Sequence, residues 1–275
     1  MISVASNIAS LNARRNLSNT HNNLSKSIER LSSGLRINRA ADDAAGLAIS
    51  ESMRTQLRGL QQAERNSQDA ISLIQTAEGG LQQVTNVVSR MRELAVQAAN
   101  EGTMDSTQRG YLHQEFDLLE SELNRIVNVT EYNGQQLIDG SASAGLSFQI
   151  GMRNSDNDRI SISLSSVNAT SLGLNDEALT TASQAQAAIS ALDAALTLVN
   201  TERGTLGATQ NRLEMTINNL MNMEENLAAA DSRIRDADIA EESAKLSRAQ
   251  ILEQAGTSVL AQANQLPQSV LSLIG

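Results

Sequence analysis

The chain has 275 residues, 40% of them hydrophobic but only 1% aromatic, with one proline, no cysteine and a formal net charge of −10. The lack of cysteine excludes disulfides, thiolate metal sites and a cysteine nucleophile, and the two histidines, His21 and His113, are too far apart in sequence to suggest a zinc site or a His-based triad. The acidic balance argues against nucleic-acid binding, and a core with so few rings must be built from Ala, Leu, Ile, Val and Met, the inventory of long helices packed side by side.

The opening residues, MISVASNIASLNARRN, lack a charged region followed by an apolar run, so no cleaved secretory signal is predicted. No stretch approaches the ~18 apolar residues of a membrane span. Leu24, Ile28, Leu31 and Leu35, with Leu17 one heptad earlier, predict a first helix with a single seam. Between about 45 and 100 two seams share one helix, Met53, Leu57, Leu60, Ile71, Ile74, Leu81 and Val88 on one and Leu73, Ala77, Val84, Val87, Met91 and Leu94 on the other. A helix with two adjacent seams can touch more than one neighbour, which predicts a bundle. Residues 101–110 are expected to connect it to an antiparallel third helix carrying Leu112, Phe116, Leu119, Leu123 and Ile126.

The period then changes. Leu146, Phe148 and Ile150 alternate, as do Ile160, Ile162 and Leu164, around the polar stretch GMRNSDNDR, which predicts a β-hairpin. The Ser, Asn and Thr-rich residues 165–182 are expected to form a solvent-facing excursion. From about 183 a helix returns with Leu206, Leu213, Ile217, Leu220, Leu227 and Ile234 in one register. The last helix carries Ala249, Leu252, Gly256, Val259, Ala263, Leu266, Val270 and Leu273. Gly256 and Ala263 would let a partner helix approach closely, and Pro267 predicts a late kink.

These patterns predict a mainly α fold, an elongated antiparallel helical bundle or coiled coil with a small β-hairpin region and the N- and C-terminal helices paired at one end. The expected boundaries are an N-terminal arm at 1–42, a helical rod with hairpin and short excursion at 43–182, a returning helix at 183–232 and a C-terminal arm at 233–275. Charge supports the pairing. Residues 1–40 hold Arg14, Arg15, Lys26, Arg30, Arg36 and Arg39 against Glu29, whereas 231–275 hold six acids against Arg233, Arg235, Lys245 and Arg248. A seam on one face of each arm is an unfinished core, so both arms are expected to order only on assembly. Leu24, Ile28, Leu31 and Leu35 with Leu252, Gly256, Val259, Ala263, Leu266, Val270 and Leu273 are the candidate polymerisation seam. Periodicity leaves open the alternative that the arms complete an ordinary intramolecular bundle.

Other polar groups have plainer readings. Asp156 and Asp158 lack the distal Glu of a calcium loop and fit a hairpin turn. Asp236, Asp238, Glu241 and Glu242 fit a helix N-terminal charge bias or a partner for the basic arm. His21 falls in the first seam as a polar member. Asn128–Val129–Thr130 and Asn168–Ala169–Thr170 match the N-glycosylation pattern. No constellation supports an enzyme, and no cofactor or metal is expected.

Long motifs carry a resemblance. SGLRINRAADDAAGLAI at 33–49 resembles the N-terminal region of bacterial flagellins, and RMRELAVQAAN at 90–100 resembles the family's next motif. TEYNG at 130–134 is similar to the element before the family's hairpin, and the segment from Arg233–Ile234–Arg235–Asp236–Ala237–Asp238 to Gln262–Ala263–Asn264–Gln265–Leu266–Pro267 resembles the flagellin C-terminus. The resemblance implies a short-type flagellin, a self-polymerising subunit of the extracellular flagellar filament, whose paired arms line an inner tube. It implies export in unfolded form through the flagellar type III apparatus, a chaperone covering the C-terminal arm, and contacts with hook-associated junction and cap proteins. It also permits O-linked glycans on Ser or Thr between about 141 and 183. Arg90, Leu94 and Glu115 stand where the family's motif places contacts to the vertebrate Toll-like flagellin receptor. A hook–filament junction paralogue and a cytoplasmic helical signalling rod are the rival readings. Against the rod stand the hairpin and the lack of a membrane segment.

Overall fold

The computed structural model describes residues 7–175 and 177–274, with side chains up to Gln265. The chain divides into two compact units, one of residues 1–57 with 225–275 and one of residues 58–224.

In the first unit α1 (Ile8–Ser33) packs on α5 (Ile239–Ile274). The cross-links fix their direction. Asn7 Nδ2 donates to the Ala263 carbonyl at 2.7 Å, His21 meets Glu253 at 3.1 Å and Ser27 Oγ meets Glu242 at 2.8 Å, so the partner number falls as α1 advances and the pair is antiparallel. The facing positions step by three and four. On α1 they are Ala13, Leu17, Thr20, Leu24, Ser27 and Leu31, and on α5 they are Glu242, Leu246, Ala249, Glu253, Gly256, Leu260 and Ala263. Small residues in this list bring the backbones close, and a Cβ added at Gly256 would lie 3.1 Å from Leu17 Cδ1. α5 remains helical across Pro267. The same unit holds the first turns of α2 (Ala44–Ala98) and the last turns of α4 (Ala182–Arg235).

The second unit packs the rest of α2 and α4 around α3 (Ser106–Val129) and four short strands. Both predicted seams of α2 enter its core. Ile74, Leu81 and Val88 join Leu73, Val84 and Met91, all 3% exposed or less, beside Phe116 and Leu123 of α3 and Leu192, Val199, Leu206 and Leu213 of α4. The connection before α3 is shorter than predicted, because Asp105 and Gln108 form a reciprocal capping box that starts the helix at Ser106. The hairpin is where the alternation placed it. β3 (Leu146–Gln149) pairs antiparallel with β4 (Arg159–Ile162), Phe148 opposite Ile160. Its turn folds on itself, with Ser155 Oγ donating to Asp158 at 2.7 Å. A second hairpin, β1 (Glu131–Tyr132) with β2 (Gln135–Gln136), is closed by Asn133 and Gly134 at φ 52° and 78°, the left-handed pair that an Asn-Gly turn supplies.

Residues 165–182 correct the expectation of a solvent-facing excursion. Val167, Ala169, Leu174 and Leu179 are fully buried in the common core. Backbone bonds tie the segment down, from Val167 N to the Ile138 carbonyl at 3.1 Å and from Ala169 N to Asn124 Oδ1 at 3.0 Å. The polar composition hid a regular placing of apolar side chains between Ser, Asn and Thr that point outward or close turns. Asn168 is one of these, its Oδ1 accepting from Ser171 N at 2.7 Å.

Candidate functional site: the paired arms

The stretch 33–49 builds a double elbow. Gly34, at φ 73°, ends α1 in the left-handed conformation, its N–H bonded to the Arg30 carbonyl at 2.8 Å. Leu35 then pairs as an antiparallel bridge with Asp236, just after α4 ends. Arg36 N donates to the Arg235 carbonyl at 2.6 Å and Ala237 N to the Gly34 carbonyl at 3.0 Å, so the α1–α2 and α4–α5 breaks are laced together. Ile37, 1% exposed, plugs the junction. Asp42 Oδ2 accepts from Arg39 N at 3.2 Å, and this bond is the main reason its carboxyl sits below the usual range. Asp43 caps α2 by accepting from Gly46 N at 2.9 Å. Arg235 donates to Glu51 at 2.9 Å and lowers that carboxyl in turn.

At the N-terminus of α5, Asp238 Oδ1 accepts from Ala240 N at 2.8 Å and Glu241 N at 3.1 Å, so the acid cluster acts as a helix cap. Glu242 is turned inward instead, 5% exposed, and takes the Ser27 hydroxyl. His21 lies at the rim and not inside the seam, 65% exposed at its side chain, with Glu253 as its partner.

The predicted seam residues separate by position. Leu24 and Leu31 are half-buried against α5, Leu35 is in the elbow bridge, and Gly256 and Ala263 face α1. Ile28, Leu252 and Val259 point away from the pair, 51%, 52% and 54% exposed. The division has a plain cause. α5 meets α1 along the Ala249, Gly256 and Ala263 row, and the larger residues three positions after Ala249 and Gly256 fall on the open flank. Leu266, Val270 and Leu273 lie outside the described side chains. Leu252 and Val259 border a groove of about 270 Å³ floored by Leu17 and Gly256. Ile8, Leu11 and Ile251 are also more than half exposed. Charge distinguishes the two units. Residues 1–57 and 225–275 hold eleven Lys/Arg against eleven Asp/Glu, whereas 58–224 hold ten against twenty, so the whole net charge of −10 belongs to the second unit. A neutral unit with large apolar side chains in the open is suited to burial against neighbours.

In the second unit Arg90 and Glu115 meet at 2.8 Å, and Glu93 joins at 2.9 Å. These partners raise the Arg90 pKa, the Glu115 bond most. Leu94, one turn on, is 1% exposed and packs into the core of the second unit. Sequence reasoning missed the buried Ser27–Glu242 pair, whose only trace is that Ser27 stands one heptad after Thr20, and it missed the Asn133–Gly134 hairpin, which the dipeptide itself announces.

The family profile for the bacterial flagellin N-terminal helical region matches residues 4–143, and that for the bacterial flagellin C-terminal helical region matches residues 189–274. A flagellin of Halalkalibacterium halodurans is 49% identical over 268 residues, covering 98% of each chain. A flagellin of Bacillus subtilis is 45% identical over 300 residues, again covering 98% of each. Among solved structures, Bacillus cereus flagellin is 33% identical and covers 61% of this chain and 94% of its own, with a TM-score of 0.50.

Proposed function

The chain belongs to the bacterial flagellin family and is a structural subunit of the flagellar filament, not an enzyme, and on that premise we propose that its paired arms are the surface through which it polymerises. The observation that carries this reading is the open apolar flank of α5, Leu252 and Val259 beside the groove that Leu17 and Gly256 also line. Burying a Leu, Ile or Val fully stabilises by about 1.5–3 kcal/mol, so a few half-exposed residues repeated on every subunit hold a long polymer. The contact must be heterologous and non-closing. Negative-stain electron microscopy tests the proposal. The full chain is expected to form long uniform filaments on seeding, and Leu252→Ser with Val259→Ser to stay soluble with an unchanged circular dichroism spectrum of the second unit. Filaments formed equally well by the double variant would remove these residues from the contact.

The remaining partners follow from the family. An export chaperone covers the same C-terminal surface from Ala249 onward until the unfolded chain passes through the type III apparatus. Junction and cap proteins of the hook-associated class bind the arms as a neighbouring subunit does, at the ends of an extracellular filament. The vertebrate Toll-like receptor reads the exposed Arg90–Glu115 pair, with Leu94 holding α2 in place from within. Arg90→Ala is expected to lower receptor signalling without loss of stability, and an unchanged signal would remove Arg90 from the contact.

A further inference from the structure

The apolar groove beside Leu252 continues into a cationic one. α1 contributes Lys26 and Arg30 and α5 contributes Lys245 and Arg248 to a groove of about 300 Å³ that shares Thr20 and Leu252 with its apolar neighbour. The one carboxylate inside it is already engaged. Glu242 accepts from Ser27 at 2.8 Å and lies 3.4 Å from Lys245 Nζ and 3.9 Å from an Arg30 nitrogen. Lys245 is further occupied by Glu241 at 2.9 Å. Lys26 and Arg248 are exposed, and among the described residues neither has an ion-pair partner. Two cations that form no ion pair among the described residues therefore line one groove, on a unit whose formal charges sum to zero with both of them counted.

We propose that this groove docks acidic side chains of a second copy of the chain, the apolar half seating its aliphatic neighbours and the cations setting its register. The inference rests on the filament reading and adds the chemistry of one of its contacts. Charge complementarity selects the occupant. The acid surplus of the chain lies wholly in residues 58–224, twenty Asp/Glu against ten Lys/Arg, so a neighbouring copy offers the carboxylates that Lys26 and Arg248 lack. Interfacial charges placed this way fix partner and orientation more than they add affinity. The contact is screened by salt over about 8–10 Å at moderate ionic strength.

The test is the critical concentration for polymerisation of the full chain, read by sedimentation of polymer from subunit at several salt concentrations. Lys26→Glu with Arg248→Glu is expected to raise it about tenfold at low salt, which corresponds to about 1.4 kcal/mol per subunit added, and to abolish its salt dependence. Arg14→Glu with Arg15→Glu makes the same charge change on α1 outside the groove and is expected to leave both nearly unchanged. Lys26→Arg with Arg248→Lys should behave as the parent. Circular dichroism of the soluble subunits confirms that the helices persist. If the groove variant polymerises like the parent, or the control variant is equally impaired, the docking site is overturned while the filament reading stands. If the parent itself forms no polymer under any condition, both fall.

Discussion

A methyl group at position 46 would sit 2.5 Å from Asp43 Oδ2 and 2.9 Å from Ile37 Cδ1, so Gly46 is what lets the cap of α2 and the plug of the elbow occupy adjacent space. Gly46→Ala is therefore expected to destabilise the first unit by about 1–3 kcal/mol, the range for a crowded core position, with a lower urea midpoint. Ser27→Ala strands the buried Glu242 carboxylate without its shortest partner and is expected to cost about 1–3 kcal/mol, whereas His21→Ala, at the exposed rim, should change stability little. Protonation works in one direction. The Asp42 and Glu51 carboxyls are both lowered in the folded chain, by the Arg39 N–H and the Arg235 guanidinium. Such groups contribute stability that is complete above their ordinary pKa, near 4, and is lost as pH falls through the lower folded values. The urea midpoint is expected to be flat near neutrality and to decline below about pH 4, less steeply in Arg235→Gln. Of the residues named here, Gly34, Asp42 and Asp43 were visible only as part of a family motif. Their physical roles needed the backbone, because a cap is defined by which N–H points at it.

At the scale of elements, α3 owes its start to Asp105 and Gln108 and its place to Phe116 and Leu123. Asp105→Ala is expected to cost about 1 kcal/mol and to fray the first turn, seen as faster amide exchange at residues 106–109. Leu94→Ala is expected to cost about 2–5 kcal/mol, as a fully buried leucine does, while Arg90→Ala changes the midpoint by less than about 1 kcal/mol. That contrast separates packing from surface recognition along a single helix. The long helices and the β3–β4 hairpin were legible because their periods of about 3.6 and 2 run over many residues. Residues 165–182 were not, because their buried side chains alternate with polar ones over too short a span to declare a period. The outward turn of Leu252 and Val259 was equally hidden. A heptad series states which residues share a broad face, and the partner helix decides which edge of that face is covered.

At the scale of the molecule, the segregation of charge is the feature that matters for assembly. The arm unit, with no net charge, meets no long-range repulsion from its copies, and the unit carrying −10 holds the acid surplus that the proposed groove takes up. Deletion of residues 1–40 or 235–275 is expected to abolish filaments while residues 58–224 keep their own cooperative unfolding transition, checked by electron microscopy and thermal circular dichroism. Loss of that transition would show that the second unit needs the arms to fold.

The sequence by itself determined that the chain is mainly helical and free of thiols, because composition and long periods constrain these directly. It also determined the family, through motifs long enough to be specific. Only the tertiary structure decided that Leu94 is core, that Glu242 is buried, that the middle segment is packed down, and that Lys26 and Arg248 share one groove and form no ion pair among the described residues. Each of these depends on residues brought into proximity from distant parts of the chain, and no local pattern records which surface a helix will find covered.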